Sequence, residues 1–171
     1  MDVTNSFAEG KVLYARQTGV HCLHYVGNIR YTLAPSVERF VEGLFCELEQ
    51  PGFVIDLNET ESIDSTNLGL LARLANRVSQ RGGPRVTIAS ERRDINELLE
   101  GMGFDEVFDI IEGNGCAAEM GEMVPIEESG LETMRDTILE AHRMLMALRE
   151  DNREQFGEVV AALEQEGIDD W

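Results

Sequence analysis

The chain has 171 residues, enough for one ordinary domain with a sizeable core and an appendage. Its 43% apolar and 27% charged residues are those of a folded protein and exclude a disordered chain. A net charge of −19 argues against nucleic acid and anionic membranes as partners, since both would repel it, and favours basic protein surfaces.

In chain order, residues 12–17 and 20–26 are two short strand-like runs joined by Thr18-Gly19, a two-residue connection that suits a tight hairpin. In the second run Val20, Cys22, His24 and Val26 share one face, and His21, Leu23 and Tyr25 the other. His21 and His24 therefore cannot jointly hold a metal. Gly27-Asn28 turns the chain, and Thr32-Leu33-Ala34-Pro35 reads as a helix start, because Pro is tolerated in the first turn. Val37, Phe40, Val41, Leu44, Phe45 and Leu48 then recur at helical spacing, the stripe of an amphipathic helix laid on a sheet. Pro51-Gly52 ends that helix and introduces a buried strand over 53–57.

The strand runs into a polar loop bearing Asp56, Glu59, Glu61 and Asp64, which delivers Asp64-Ser65-Thr66-Asn67 onto a second helical pattern. Leu68, Leu71, Leu74, Ala75 and Val78 form its buried stripe, with Arg73, Arg77 and Arg81 mostly outside. The start of that helix gathers unpaired backbone N–H groups and the positive end of the helix dipole, which favour negative charge. A hydroxyl placed there is either a plain cap or a place where a phosphate is put on and taken off. Gly82-Gly83-Pro84 breaks the helix, residues 85–89 form another strand, and Ser90 is expected to cap a third helix carrying Ile95, Leu98, Leu99 and Met102. Gly101 and Gly103 stop it, and Phe104, Val107, Phe108, Ile110 and Ile111 close the unit, with room for one last short strand.

Strands alternating with helices in this order predict a small α/β domain over residues 1–111, its mixed sheet covered on one side by helices. Residues 112–124 are rich in Gly and Glu and read as a linker. From 125 to 171 an acidic, amphipathic helical extension follows. Leu131, Met134, Ile138, Ala141, Leu145 and Leu148 recur in steps of three and four, a seam of coiled-coil type. Asn152 interrupts it, and Phe156, Val159, Val160 and Leu163 continue on a shifted stripe. One long helix broken near Glu150, or two helices folded into a hairpin, both fit. From residue 112 onward there are 16 acidic and 4 basic residues, so the extension is disproportionately acidic. Its seam either packs on its own domain or serves as a surface for a homodimer or a partner; periodicity reports burial without naming the neighbour.

Signatures of enzymes are absent: there is no phosphate-binding G-x-x-x-x-G-K-[ST], no G-x-G-x-x-G, no H-E-x-x-H and no G-x-S-x-G. Asp56 stands at a strand end, as the phosphorylated Asp of a receiver domain does. A receiver also needs an acidic pair after its first strand and a lysine after its last, and the one lysine here is Lys11. A metal site on Asp56, Glu59, Glu61 and Asp64 would need all four to converge, and a loop of this composition is more often just solvated. No catalytic residue, metal or cofactor is expected. Cys22, Cys46 and Cys116 are odd in number and widely spaced, which suits reduced thiols. With no apolar run near the roughly 18 residues of a membrane span and an acidic N-terminus unlike a signal peptide, a cytoplasmic protein is expected.

Four stretches, taken together, resemble STAS domains of the anti-sigma-factor-antagonist type. Val26-Gly27-Asn28-Ile29-Arg30 followed by Leu33-Ala34-Pro35 resembles the segment leading to that family's first helix. Val54-Ile55-Asp56-Leu57 resembles its central strand, and Ile63-Asp64-Ser65-Thr66-Asn67-Leu68-Gly69 its D-S-[ST]-G-[LI]-G signature. Residues 95–104 with Val107-Phe108 resemble its closing helix and strand. The resemblance covers roughly residues 10–111. It departs from the family at Asn67, where Gly is common, and at Arg30, where an acidic residue is frequent; residues from 112 onward have no counterpart in the minimal domain.

The resemblance implies a bacterial, non-enzymatic regulator. Ser65 would be phosphorylated by a serine protein kinase that is itself an anti-sigma factor, and dephosphorylated by a PP2C-type phosphatase. Unphosphorylated, the domain would bind the anti-sigma factor and release a sigma factor, with Asp64, Thr66, Asn67 and Asn28 at the contact. The alternative is a STAS-like scaffold or structural subunit of another complex whose Ser65 is never phosphorylated.

Overall fold

The computed structural model describes residues 9–47, 52–113, 115 and 121–169. Leu48, Pro51, Cys116 and the acidic start of the chain lie outside them. The elements run β1 (Lys11–Gln17), β2 (Val20–Ile29), α1 (Ala34–Glu47), β3 (Gly52–Asp56), β4 (Thr60–Ile63), α2 (Ser65–Gln80), β5 (Thr87–Ala89), α3 (Arg93–Gly101), β6 (Asp109–Ile111), β7 (Glu122–Met123), α4 (Leu131–Leu148) and α5 (Glu150–Asp169).

The sheet order is β6-β5-β3-β2-β1-β7, with β4 pairing the far end of β2. β1 is antiparallel to β2 and β7, and the remaining pairs are parallel, so this is the mixed α/β sheet expected. Thr18 and Gly19 both have positive φ (47° and 80°), the geometry of a tight I′ turn matching the strand twist. Tyr14, Leu23, Ile55, Ile88 and Ile110 fall in register on one face of the sheet. That face supplies the strand residues of the buried core, beneath the apolar stripes of the helices. The opposite face carries Cys22, His24, Val54, Asp56 and Ala89, with Gly115 against Val54 and Ala89. His21 and His24 point to opposite faces and both are buried.

Four local features differ from expectation. Gly27-Asn28, expected to turn the chain, lies within β2 as a bulge, and the strand runs on to Ile29. Residues 60–63, read as part of a loop, form β4; it is too short to show an alternating pattern and pairs β2 just past a bulge at Gly27 and Asn28. α3 begins at Arg93 rather than directly after Ser90, whose buried hydroxyl accepts a bond from the Arg92 N–H in a tight turn before the helix. Within residues 112–124, Glu122 and Met123 add a strand to β1, and Val124 is buried, its N–H donated to the Val12 carbonyl.

The outer arginines of α2 bind it to α1. Arg73 pairs with Glu38, Arg77 with Glu42, and both Arg77 and Arg81 lie over the Phe45 ring. Burial pushes the Glu38 carboxyl upward despite the Arg73 charge beside it.

The C-terminal extension is a helical hairpin. α4 and α5 are separated only by Arg149, whose extended backbone (φ −157°, ψ 143°) breaks the helix. Arg143 bridges Glu140 on α4 and Glu164 on α5. The turn is fastened to the end of α3: Arg149 donates to the Glu100 and Gly101 carbonyls, closing helix-end acceptors that otherwise lack partners. Asn152, almost fully buried, donates from Nδ2 to the carbonyls of Met102 (3.1 Å) and Leu145 (2.8 Å). It is a clamp between the hairpin and α3. Leu145 and Phe156 join the same core as the sheet and the first three helices.

Replacing Asn152→Ala leaves two buried carbonyls without this donor and is expected to cost about 2 kcal/mol, read as a lower urea midpoint at unchanged m-value. An unchanged midpoint would show that the clamp contributes nothing.

Candidate functional site

The start of α2 is built by Asp64. Its backbone is extended, and its Oδ1 accepts from the Asn67 N–H (3.0 Å) and from Asn67 Nδ2 (2.9 Å). Asp64 is therefore the N-cap, and Ser65 is the first residue of the helix. Capping falls to a carboxylate that also suits the helix dipole, which leaves the Ser65 hydroxyl free of that task. Asn67 is helical and buried, and its amide braces the cap. No unusual backbone angle is involved where the family commonly has Gly.

Ser65 Oγ instead lies 2.8 Å from Nε2 of His142 on α4. The other ring nitrogen, Nδ1, is 2.6 Å from the Ile138 carbonyl oxygen, which can only accept. Nδ1 thus carries the hydrogen, and in the neutral ring Nε2 accepts the proton of the Ser65 hydroxyl. Phe156 of α5 packs edge-on against the His142 ring, with centroids 5.3 Å apart. One turn further along α2, Gly69 meets the α4 backbone: a Cβ there would fall 2.2 Å from the Ala141 carbonyl oxygen. α4 can approach this closely only because position 69 has no side chain.

Of the other residues singled out in the sequence, Thr66 is buried beside Asn67. Asn28 lies at the bulge of β2, and its Oδ1 accepts from the Ser62 hydroxyl (2.7 Å). The four loop carboxylates do not converge. Asp56 is buried and accepts from the Asn58 N–H and Nδ2 on one oxygen and the Gly115 N–H on the other. Glu59 pairs with His24 (2.6 Å), Glu61 is exposed, and Asp64 caps α2. Among the described residues no group of three His, Cys, Asp or Glu is placed to hold a metal, and no helix is long and apolar enough to cross a membrane.

Two residues define the surroundings of Ser65: His142, to which the residue pattern drew no attention, and Gly69, which entered only as the last residue of the signature at 63–69. His142 is the one histidine of the acidic extension, next to Ala141 of the apolar seam, and Gly69 is a glycine inside a helical pattern. An isolated glycine in a helix often marks a close approach. That was the available signal.

The STAS domain family profile matches residues 11–115, more than half of the chain. The chain belongs to the STAS domain family. Two solved structures share this STAS fold. One is an anti-sigma factor antagonist from Mycobacterium paratuberculosis, 21% identical, covering 60% of this chain and 85% of that one with a TM-score of 0.52. The other is the protein TM1081, solved by NMR, 21% identical, covering 58% and 78% with a TM-score of 0.52. Comparison with curated proteins returns no match. The STAS match ends before α4, so the hairpin that supplies His142 is an extension of the family domain.

Removing the cap by Asp64→Ala is expected to lower stability by about 1 kcal/mol, seen as a lower thermal midpoint. Asp64→Asn keeps an acceptor for the Asn67 N–H and should recover most of that loss. Equal loss in both variants would show that the carboxylate's charge, not the cap bond, matters.

Proposed function

We propose that this STAS protein is an anti-sigma factor antagonist switched by phosphorylation of Ser65. The observation that carries the reading is the placement of Ser65. It is the first residue of α2, beside a carboxylate that has taken over capping, and its hydroxyl belongs to no backbone cap. Phosphorylation would add about −1.5 to −2 charges at the positive end of a helix, where the dipole tolerates them and the domain need not unfold. A partner surface laid over Ser65 would meet a bulky dianion next to Asp64, and binding would fail.

The partner proposed is an anti-sigma factor that is also the serine kinase for Ser65, with a PP2C-type phosphatase restoring the hydroxyl. Contacts would come from Asp64, Thr66, Asn67 and Asn28 around the start of α2 and the neighbouring end of β2. The likeness to an anti-sigma factor antagonist structure supports the fold on which this reading stands. The protein acts in the cytoplasm in this account, by binding and without catalysis, nucleic acid, membrane or cofactor.

One observation favours a second reading. Ser65 is already engaged by His142, as the hydroxyl of a fixed structural contact would be in a STAS-like scaffold never phosphorylated. The middle of the seam offered for a homodimer is likewise used within the chain, since Ala141 and Leu145 are fully buried, while Leu131 at its start is exposed.

Capture of the anti-sigma factor by three full-length forms separates the readings. Ser65→Ala is expected to bind at all times, and Ser65→Asp or Ser65→Glu to lose binding. Equal capture by all three would remove the switch.

A further inference from the structure

We propose that the α4–α5 hairpin is a built-in occupant of the surface through which Ser65 meets its kinase and partner, so that this surface opens only when the hairpin is displaced. The proposal rests on the reading of Ser65 given above and adds its regulation.

The masking is direct. With Oγ of Ser65 at hydrogen-bond distance from His142 Nε2, no atom fits between hydroxyl and ring. Ser65 is half-buried: the hairpin covers its hydroxyl from the His142 side while α4 lies over the next turn of α2, so a protein surface laid on the start of α2 collides with α4. A phosphoserine has no hydrogen on Oγ to share with His142 Nε2, so this bond is lost on phosphorylation. Next along α2, Gly69 is covered by the Ala141 backbone so closely that no other chain can reach it while α4 is in place. Thr66 and Asn67, flanking Ser65, are buried in the same closed chain.

Release of the hairpin uncovers Leu145 and Phe156, so a surface that displaces it must also offer apolar cover. Besides that packing, its polar and close backbone contacts fall into two groups. At the turn, Arg149 and Asn152 fasten it to the carboxyl end of α3. Over α2, it relies on the Gly69–Ala141 contact and the Ser65–His142 bond, the latter backed by Phe156. At Ser65 itself one hydrogen bond and the packing around it are given up, and the ion pairs of Arg143 with Glu140 and Glu164 stay within the hairpin. A competing surface must therefore offer what α4 offers: an element that approaches Gly69 at backbone distance and presents an acceptor to the Ser65 hydroxyl.

Thiol labelling of the full chain tests this without kinase or partner. In Ser65→Cys the introduced thiol replaces the masked hydroxyl, and Cys46, exposed on α1, is the internal reference when modification by N-ethylmaleimide is read peptide by peptide. The introduced thiol is expected to react about tenfold or more slowly than Cys46, as a group reached only through local opening does. Adding Gly69→Ala, whose Cβ would meet the Ala141 carbonyl, should bring it to within about twofold of Cys46 if opening is then the resting state. Labelling at position 65 as fast as at Cys46 with Gly69 in place would overturn the proposal, as would continued protection in a folded Gly69→Ala chain. If circular dichroism shows that Gly69→Ala has unfolded, Arg149→Ala, exposed at the turn, decides by the same criterion: faster labelling at position 65 supports masking and an unchanged rate overturns it. Phosphorylation enters nowhere in this assay. Fast labelling would end the masking and leave the Ser65 switch standing, whereas a failed switch would leave the labelling result unaffected.

Discussion

The contact between Gly69 and the Ala141 backbone is the constraint on which the rest of this arrangement depends. A glycine inside a helix costs about 1 kcal/mol relative to alanine. Here that cost gives α4 a place to lie directly on α2. Once the two backbones touch, His142, the next residue after Ala141, falls over Ser65 one turn back along α2. Phe156 packs edge-on against the ring from α5. The chemistry around the serine is thus set by a residue four positions away that takes no part in it.

The extension combines a strongly acidic outside with an apolar inside. Leu145 and Phe156 lie in the common core, and each apolar side chain of that size contributes roughly 1.5–3 kcal/mol when taken fully out of water. The ion pairs on its outer surface, such as Arg143 with Glu140 and Glu164, hold exposed carboxylates whose contribution is small. Packing and the buried Asn152 clamp hold the hairpin, and the charges keep its outer face in water. A strongly basic partner surface would be drawn to that outer face first, which places an electrostatic handle on the element covering Ser65.

Much of this was legible in the residues. Helical periodicity gave α1, α2 and the two stripes of the extension, the Thr18-Gly19 turn gave the first hairpin, and Asp64-Ser65-Thr66 marked the start of α2. Short strands were not legible: β4 has four residues and β7 two, and pairing with β2 and β1 makes them strands where their own pattern does not. The seam of α4 announced that it was buried, but the choice between its own domain and another chain lies in three-dimensional fit at Gly69. The role of Asn152 escaped for the same reason. A polar residue interrupting an apolar pattern looks like a break, and only the nearness of the Met102 and Leu145 carbonyls makes it a clamp. The break itself falls at Arg149.

Ser65, as a hydroxyl that gains and loses a phosphoryl group, stands at the centre of the proposed function. The most direct measurement is peptide-resolved phosphoprotein mass spectrometry of the protein taken from its own cells under several growth conditions. Phosphate is expected on Ser65 in a fraction of molecules that changes with condition. Ser65 free of phosphate under every condition would contradict the switch.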